Sequence, residues 1–278
     1  MSNATKLTMI EAINKALHDA MEADPRVLAL GEEVGDTEEG GVFGATRGLS
    51  TKFGEHRVKS TPISEQAIIG AAIGASIAGY RPVAEIMLMN FTTVAMDMIV
   101  NQMAKIHYMF GGRGKVPMVL RTNIGAGRGA AAQHSQSFHS FFMHIPGLTV
   151  VTPSTPYDVK GLMNTAIQGD NPVIFVEHKK LYITKGDVPE GHYTIPFGQA
   201  DVKRSGKEGQ KIYGTIEKIP AGNDGLWMVN GKEVLVTRDT VIREKHGKAV
   251  VGAYVEVEGI YSDNALSASK IEVKRPER

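Results

Sequence analysis

Residues 1–205 predict an α/β domain, with a parallel sheet covered by helices on both faces, and residues 206–278 predict a small all-β barrel or sandwich. Three observations carry this expectation. Several short segments, VPMVL, LTVV and PVIFV, are almost wholly apolar, as strands buried on both faces must be. They alternate with segments of helical period, the order that builds a parallel sheet. From Ile212 onward the helical period vanishes and short alternating strands take its place.

The elements follow in order. Thr8-Met-Ile-Glu11 opens a helix as a capping box, in which hydroxyl and carboxylate each satisfy an exposed backbone amide. Ile10, Ile13, Leu17 and Met21 give its apolar stripe, and Asp24-Pro25 stops it. Residues 26–30 read as a buried strand ending in Gly31-Glu32-Glu33. A glycine-rich loop, a short helix at 48–53 and a strand at 57–60 come next. Alternation continues with helix 64–79, strand 82–88, helix 91–110, strand 116–123, strand 148–152, helix 155–168 and strand 172–177. The pattern changes near Ser205-Gly206-Lys207. Beyond it, Asn230-Gly231 between Trp227-Met-Val229 and Val234-Leu-Val236 predicts a hairpin with a type I′ turn. Val255 and Val257 alternate with Glu256 and Glu258, and Asp263-Asn264 predict a turn before a last strand.

Composition excludes several classes. A formal net charge of +1 gives no support for a nucleic-acid partner. The absence of cysteine excludes disulfides, thiolate metal sites and cysteine nucleophiles. Gln66 to Tyr80, the longest uncharged run, is too short and too rich in Gly and Ala for a membrane span. The N-terminus has no apolar core of signal-peptide type, and the expected location is the cytoplasm.

Three places hold candidate chemistry. Glu65 opens an otherwise uncharged helix at the carboxyl end of a strand, where open α/β sheets bind ligands. Position alone leaves two readings open, a functional carboxylate and one that complements the helix dipole. Gly125, Gly127 and Gly129 form a glycine loop, but no P-loop Lys-Ser/Thr follows, so nucleotide binding is disfavoured. His134, His139 and His144 are spaced by five, which scatters them around a helix and argues against a zinc triad. Glu32-Glu33 at a strand end could share a proton or contact a cofactor, or simply terminate the strand. In the helix from 64 to 79, Gly70, Gly74 and Ala78 recur at four-residue spacing, a face suited to close packing.

LALGEEV, TPISEQAIIGAAIGASIAGYRPVAEIM, NQMAKIHYMFGG, AAQHSQSFHSFFMHIPGLTVVTPSTPYDVKGL and DNPVIFVEHKKLY together resemble the β subunit of the thiamine-diphosphate-dependent 2-oxoacid dehydrogenases. That family includes the pyruvate, branched-chain and acetoin dehydrogenase components, and the resemblance runs from Leu7 to Lys207. It implies a transketolase-like pyrimidine-binding domain. By it, Glu65 would hydrogen-bond N1′ of the cofactor's aminopyrimidine, and Glu32, Ile63, Met87 and Phe91 would line the pyrimidine pocket. His134 would assist acyl transfer to a lipoyl arm. A potassium ion, held in some members mainly by backbone carbonyls, would map to Met118, Ala166, Ile167, Gly169 and Asn171. Gly169 stands where some relatives carry an acidic residue.

The chain lacks the Gly-Asp-Gly…Asn signature that holds magnesium and diphosphate. The resemblance therefore implies an α subunit as partner, in a heterotetramer, supplying Mg2+ and the diphosphate site. The small-molecule substrate would be a 2-oxo acid or acetoin. The family's second α/β domain, used to dock the lipoyl acyltransferase, is absent, and residues 214–273 resemble a small bacterial β domain of unknown function. That module has 12 Lys/Arg against 11 Asp/Glu, counted from Gly206, which gives an oligonucleotide-binding barrel no electrostatic support. Two competing readings are a non-catalytic scaffold that retains the fold and a transketolase-like fragment acting on sugar phosphates.

Overall fold

The computed structural model describes residues 4–199, 209–262 and 265–275. The chain divides into two compact units between Gln199 and Ala200. The expected boundary at Ser205-Gly206-Lys207 and the expected turn at Asp263-Asn264 lie outside the described residues.

In the first unit, β1 (Ala4–Thr8) leads into α1 (Met9–Ala23) through the capping box. Thr8 N–H donates to Glu11 Oε2 at 2.7 Å, and Glu11 N–H donates to Thr8 Oγ1 at 3.3 Å. The chain continues through β2 (Val27–Glu32), α2 (Leu49–Phe53), β3 (Val58–Thr61), α3 (Glu65–Ile77) and β4 (Arg81–Leu88). After α4 (Ile106–Met109) come β5 (Val119–Ile124), α5 (His139–Met143), β6 (Thr149–Val151), α6 (Pro156–Gln168), β7 (Val173–His178) and β8 (Lys185–Pro189). The expected parallel sheet is six-stranded, in the order β3-β2-β4-β5-β7-β6. Its two faces build two cores. One packs Ile13, Leu17 and Met163 of α1 and α6 against Val83, Val119 and Phe175. The other packs Ile69 and Ile73 of α3 against Leu30, Ile86, Leu120 and Val176.

Two local expectations differ from the structure. Residues 91–110 do not form one helix. A 3-10 turn at Met89–Thr93 and a π-helical stretch at Met98–Met103 precede the short α4. Hydroxyls explain the first interruption: Thr92 Oγ1 donates to the Met89 carbonyl at 2.6 Å and Thr93 Oγ1 to that of Asn90 at 2.8 Å, competing with the helical ladder. The polar segment at the N-terminus pairs antiparallel with β8, Ala4 opposite Pro189 and Thr8 opposite Lys185. Such a ribbon is invisible to apolar patterning because its partner lies some 180 residues away.

Gly147 adopts φ +98°, and a Cβ there would strike the Ala104 carbonyl oxygen. Gly147→Ala is expected to destabilise the domain by about 1–3 kcal/mol, read from the urea midpoint.

The second unit is a closed barrel. It comprises β9 (Gln210–Lys218), β10 (Gly225–Val229), β11 (Lys232–Val236), β12 (Val241–Arg243), β13 (Tyr254–Ser262) and β14 (Ala265–Val273). The order β11-β10-β9-β13-β14 closes through a parallel pairing of β14 with β11, Val234 opposite Leu266. Strand β12 pairs with the remainder of β14. Asn230 (φ 48°) and Gly231 (φ 71°) make the expected primed turn. Trp227, Ile216, Val257 and Ile271 fill the interior.

Outside the barrel, three lysines and three glutamates form a closed ring. Lys211 binds Glu256 (2.7 Å) and Glu258 (2.8 Å), Lys270 binds Glu258 (3.2 Å) and Glu272 (3.0 Å), and Lys274 binds Glu256 (2.9 Å) and Glu272 (3.3 Å). Hydrogen bonds from Lys211 and Lys274 hold the Glu256 carboxyl down to about 2, against an ordinary 4.5. A carboxylate with a depressed folded-state pKa contributes stability above its unfolded value that is lost as pH falls. The barrel should therefore lose stability as pH drops from about 4.5 toward about 2, and high salt should shrink the change. Emission of Trp227, the only tryptophan, reports this unit's unfolding directly.

Candidate functional site

Strands β2 and β3 run parallel and place Glu32 opposite Thr61 at their carboxyl ends. Alternation puts both on the face that carries α3, since Leu30 packs into that core. The chain then turns through Pro62-Ile63-Ser64 and enters α3 at Glu65, its first residue. Ser64 makes no side-chain cap, so the helix entrance is left to Glu65.

Two oxygens here are buried without a partner, Glu32 Oε1 and Thr61 Oγ1. Glu65 is 8 % exposed. Burial, and then the nearby charges of Glu65, Glu33 and Glu85, push the Glu32 carboxyl above its ordinary range. Glu33 turns outward at φ 58° and is exposed, so the inward-facing acidic pair is Glu32 with Glu65 and not Glu32 with Glu33. A raised carboxyl makes the fold most stable below the unfolded pKa of 4.5 and weakens it as pH rises through the folded value. Glu32→Gln is accordingly expected to raise the urea midpoint at neutral pH and to leave it unchanged well below pH 4.5.

The other expected pocket residues are distributed around this edge. Met87 and Phe91 are half-buried, and a register irregularity between Glu85 and Leu88 breaks the β4–β5 pairing at Met87. His134 sits in a 3-10 turn with its ring edge-on to Phe91, centroids 5.4 Å apart. Ile63 is 82 % exposed, so no wall of this unit covers it. A pocket of about 310 Å3 opens at the opposite, amino end of the strands, lined by Asp19, Arg26, Arg81, Gln168 and His192. It shares no residue with the carboxylate edge.

His139 begins α5 and His144 follows it, and no three His, Asp or Glu converge as metal ligands among the described residues. Three of the five carbonyls expected for potassium already accept hydrogen bonds. Arg81 Nη1 donates to the carbonyls of Ile167 (2.9 Å) and Gly169 (2.7 Å), and Val173 N–H donates to that of Met118 (3.0 Å). Ala166 is buried and Asn171 exposed. With a guanidinium already on two of these carbonyls, the set does not fit a potassium ion.

A buried ionic network joins three strands of the sheet, which apolar patterning does not predict. Arg121, on β5, donates Nε and Nη2 to the two oxygens of Glu177 (2.8 and 3.0 Å) and Nη1 to Glu85 (2.5 Å). Tyr182 Oη donates to Glu177 at 2.7 Å. Arg121 follows Val119 by two residues, which places the network on the α1/α6 face, beneath the carboxylate edge. Burial alone would lower the Arg121 pKa, but Glu177 and Glu85 carry it upward. Burial raises Glu85 despite Arg121, and burial with Glu177 raises Tyr182. The available signal was one charge inside each of three adjacent apolar strands, RPVAEIML, VLRTNI and VIFVEH.

Comparison with known proteins places the chain in a family. The sequence profile of the transketolase pyrimidine-binding domain matches residues 5–185, and that of a domain of unknown function, DUF5666, matches residues 213–272. The acetoin:2,6-dichlorophenolindophenol oxidoreductase subunit beta of Cupriavidus necator is 52 % identical over 213 residues, covering 74 % of this chain and 63 % of that protein. Its namesake in Bacillus subtilis is 48 % identical over the same shares. The pyruvate dehydrogenase E1 component subunit beta of Bacillus subtilis is 42 % identical over 88 % of this chain and 79 % of that protein. The chain thus spans less than two thirds of the first two relatives. It belongs to the transketolase pyrimidine-binding domain family, in the branch formed by these dehydrogenase β subunits.

Proposed function

We propose that this chain is the pyrimidine-side half of a thiamine-diphosphate-dependent 2-oxoacid dehydrogenase. An α subunit would supply the diphosphate and Mg2+ site, and the pair would decarboxylate a 2-oxo acid, or cleave acetoin, and pass the acyl group to a lipoyl arm. One observation carries this reading: Glu65 and the unpartnered Glu32 Oε1 converge at the carboxyl edge of the sheet. Paired acids held out of water there suit a heterocycle that brings both an amine and a protonatable ring nitrogen. The names of the relatives, subunits beta of acetoin, pyruvate and 2-oxoisovalerate enzymes, support the same reading.

When bound, thiamine diphosphate would supply the carbon nucleophile and the electron sink for decarboxylation. The chain's own residues would bind, orient and move protons. Glu65 would exchange a proton with the ring nitrogen, a general acid–base role. Glu32, its carboxyl raised by burial, would stay neutral over a wider pH range and so tolerate the charge of Glu65 beside it. The Thr61 hydroxyl would find in the bound heterocycle the partner it lacks. Met87 and Phe91 would exclude water, and His134 would assist transfer of the acyl group to the lipoyl arm. No helix among the described residues is long and apolar enough to cross a membrane, and a cytoplasmic location is part of the proposal.

Calorimetric titration with thiamine diphosphate and Mg2+ tests the half-site. The chain alone and the α subunit alone should bind weakly, and their co-purified complex at least tenfold more tightly. Failure of the chain to form any complex with α partners would favour the scaffold reading instead.

A further inference from the structure

The glycine loop has a use that nucleotide binding does not explain. Gly125, Gly127 and Gly129 all have positive φ (101°, 93° and 70°), and two of them leave room for basic side chains. A Cβ on Gly125 would strike the His178 imidazole, and one on Gly127 would strike the end of the Lys180 side chain. Arg128, within the same loop, lies over the Phe43 ring, its guanidinium carbon 5.8 Å from the centroid. Beside the loop, Lys179 is 3 % exposed, and its ammonium donates to the backbone carbonyl of His134.

These five basic groups, Arg128, His134, His178, Lys179 and Lys180, have no carboxylate oxygen within 4.0 Å among the described residues. Glu177, the nearest acid in sequence, is engaged by Arg121 and Tyr182. Burying an ammonium without an opposite charge is costly, and an ammonium has three donors. Burial, followed by repulsion from Arg128, lowers the Lys179 pKa, as expected of a buried ammonium with no acidic partner among the described residues. The place is also right, because β5 and β7 end here, at the carboxyl edge, and His134 touches Phe91.

We propose that Lys179, with Arg128 and His134, forms a subsite for the carboxylate of a 2-oxo acid. The inference rests on the proposed function for the substrate class and sharpens it, because acetoin is uncharged and gains nothing from an ammonium. The chain is then built for a charged 2-oxo acid in preference to acetoin. Hydrogen bonds to a charged group correspond to roughly a tenfold to hundredfold difference in affinity.

The test is calorimetry on the full chain with pyruvate, acetoin and inorganic phosphate at one ionic strength, without thiamine diphosphate or partner. Its failure therefore leaves the complex-formation test untouched, and the reverse also holds. Pyruvate should bind at least about tenfold more tightly than acetoin. Lys179→Met should abolish that preference, and Lys179→Arg should keep part of it. If Lys179→Met does not fold, the wild-type comparison and Lys179→Arg decide. Equal binding of pyruvate and acetoin, including none of either, would overturn the proposal. So would an unaltered preference in folded Lys179→Met, or phosphate binding as tightly as pyruvate.

Discussion

Glu65→Gln is expected to lower 2-oxo acid turnover by the assembled enzyme by about 10²–10⁴-fold, the usual contribution of a positioned acid–base group. The fold should survive. Glu65 makes no cap through Ser64, and as a first-turn carboxylate it contributes a few tenths to about 1 kcal/mol through the helix dipole. Relief of repulsion with Glu32 offsets part of that. Steady-state turnover and a urea titration of the same preparation check both halves. A large loss of stability would assign Glu65 to the fold, and retained turnover would remove it from the chemistry.

Arg121→Met should have the largest effect on stability. It leaves Glu177 buried and Glu85 largely buried without their cation, and breaking a buried ion pair in this way costs about 3–5 kcal/mol. The deficit should shrink as pH falls. Glu85 is already pushed upward by burial, and without Arg121 its carboxyl would protonate still more readily. Adding Glu85→Gln to Arg121→Met should restore part of the loss. Urea unfolding at pH 5 and pH 8 reads both effects. A neutral Arg121→Met would mean that the network tunes the edge above it without holding the sheet together.

How much of this could be read in advance depends on the range of the interactions. Helices α1, α3 and α6 and the apolar strands β5 and β7 follow from local period, caps and strand-length runs, because their signals lie within a few residues. The Asn230-Gly231 hairpin is local in the same sense. The β1–β8 ribbon and the Arg121 network are not, since each joins residues far apart in the chain with polar side chains that patterning assigns to the surface. The broken helix at 89–109 depends on whether hydroxyls bond their own backbone, which composition does not disclose. At the site, Glu65 is legible from its place at the start of an uncharged helix after a strand. The unpartnered Glu32 oxygen and the missing counter-charge of Lys179 appear only when the strands are side by side. The glycine loop was legible as a loop, but what its glycines make room for was not.

Glu65 and Glu32 are proposed to form one half of a thiamine-dependent site completed by another chain. Decarboxylation of a 2-oxo acid by this chain co-purified with its α partner, with and without thiamine diphosphate and Mg2+, tests it most directly. Turnover is expected only when both chains and both cofactors are present. Turnover by this chain alone, or turnover by the complex that ignores thiamine diphosphate, would contradict it.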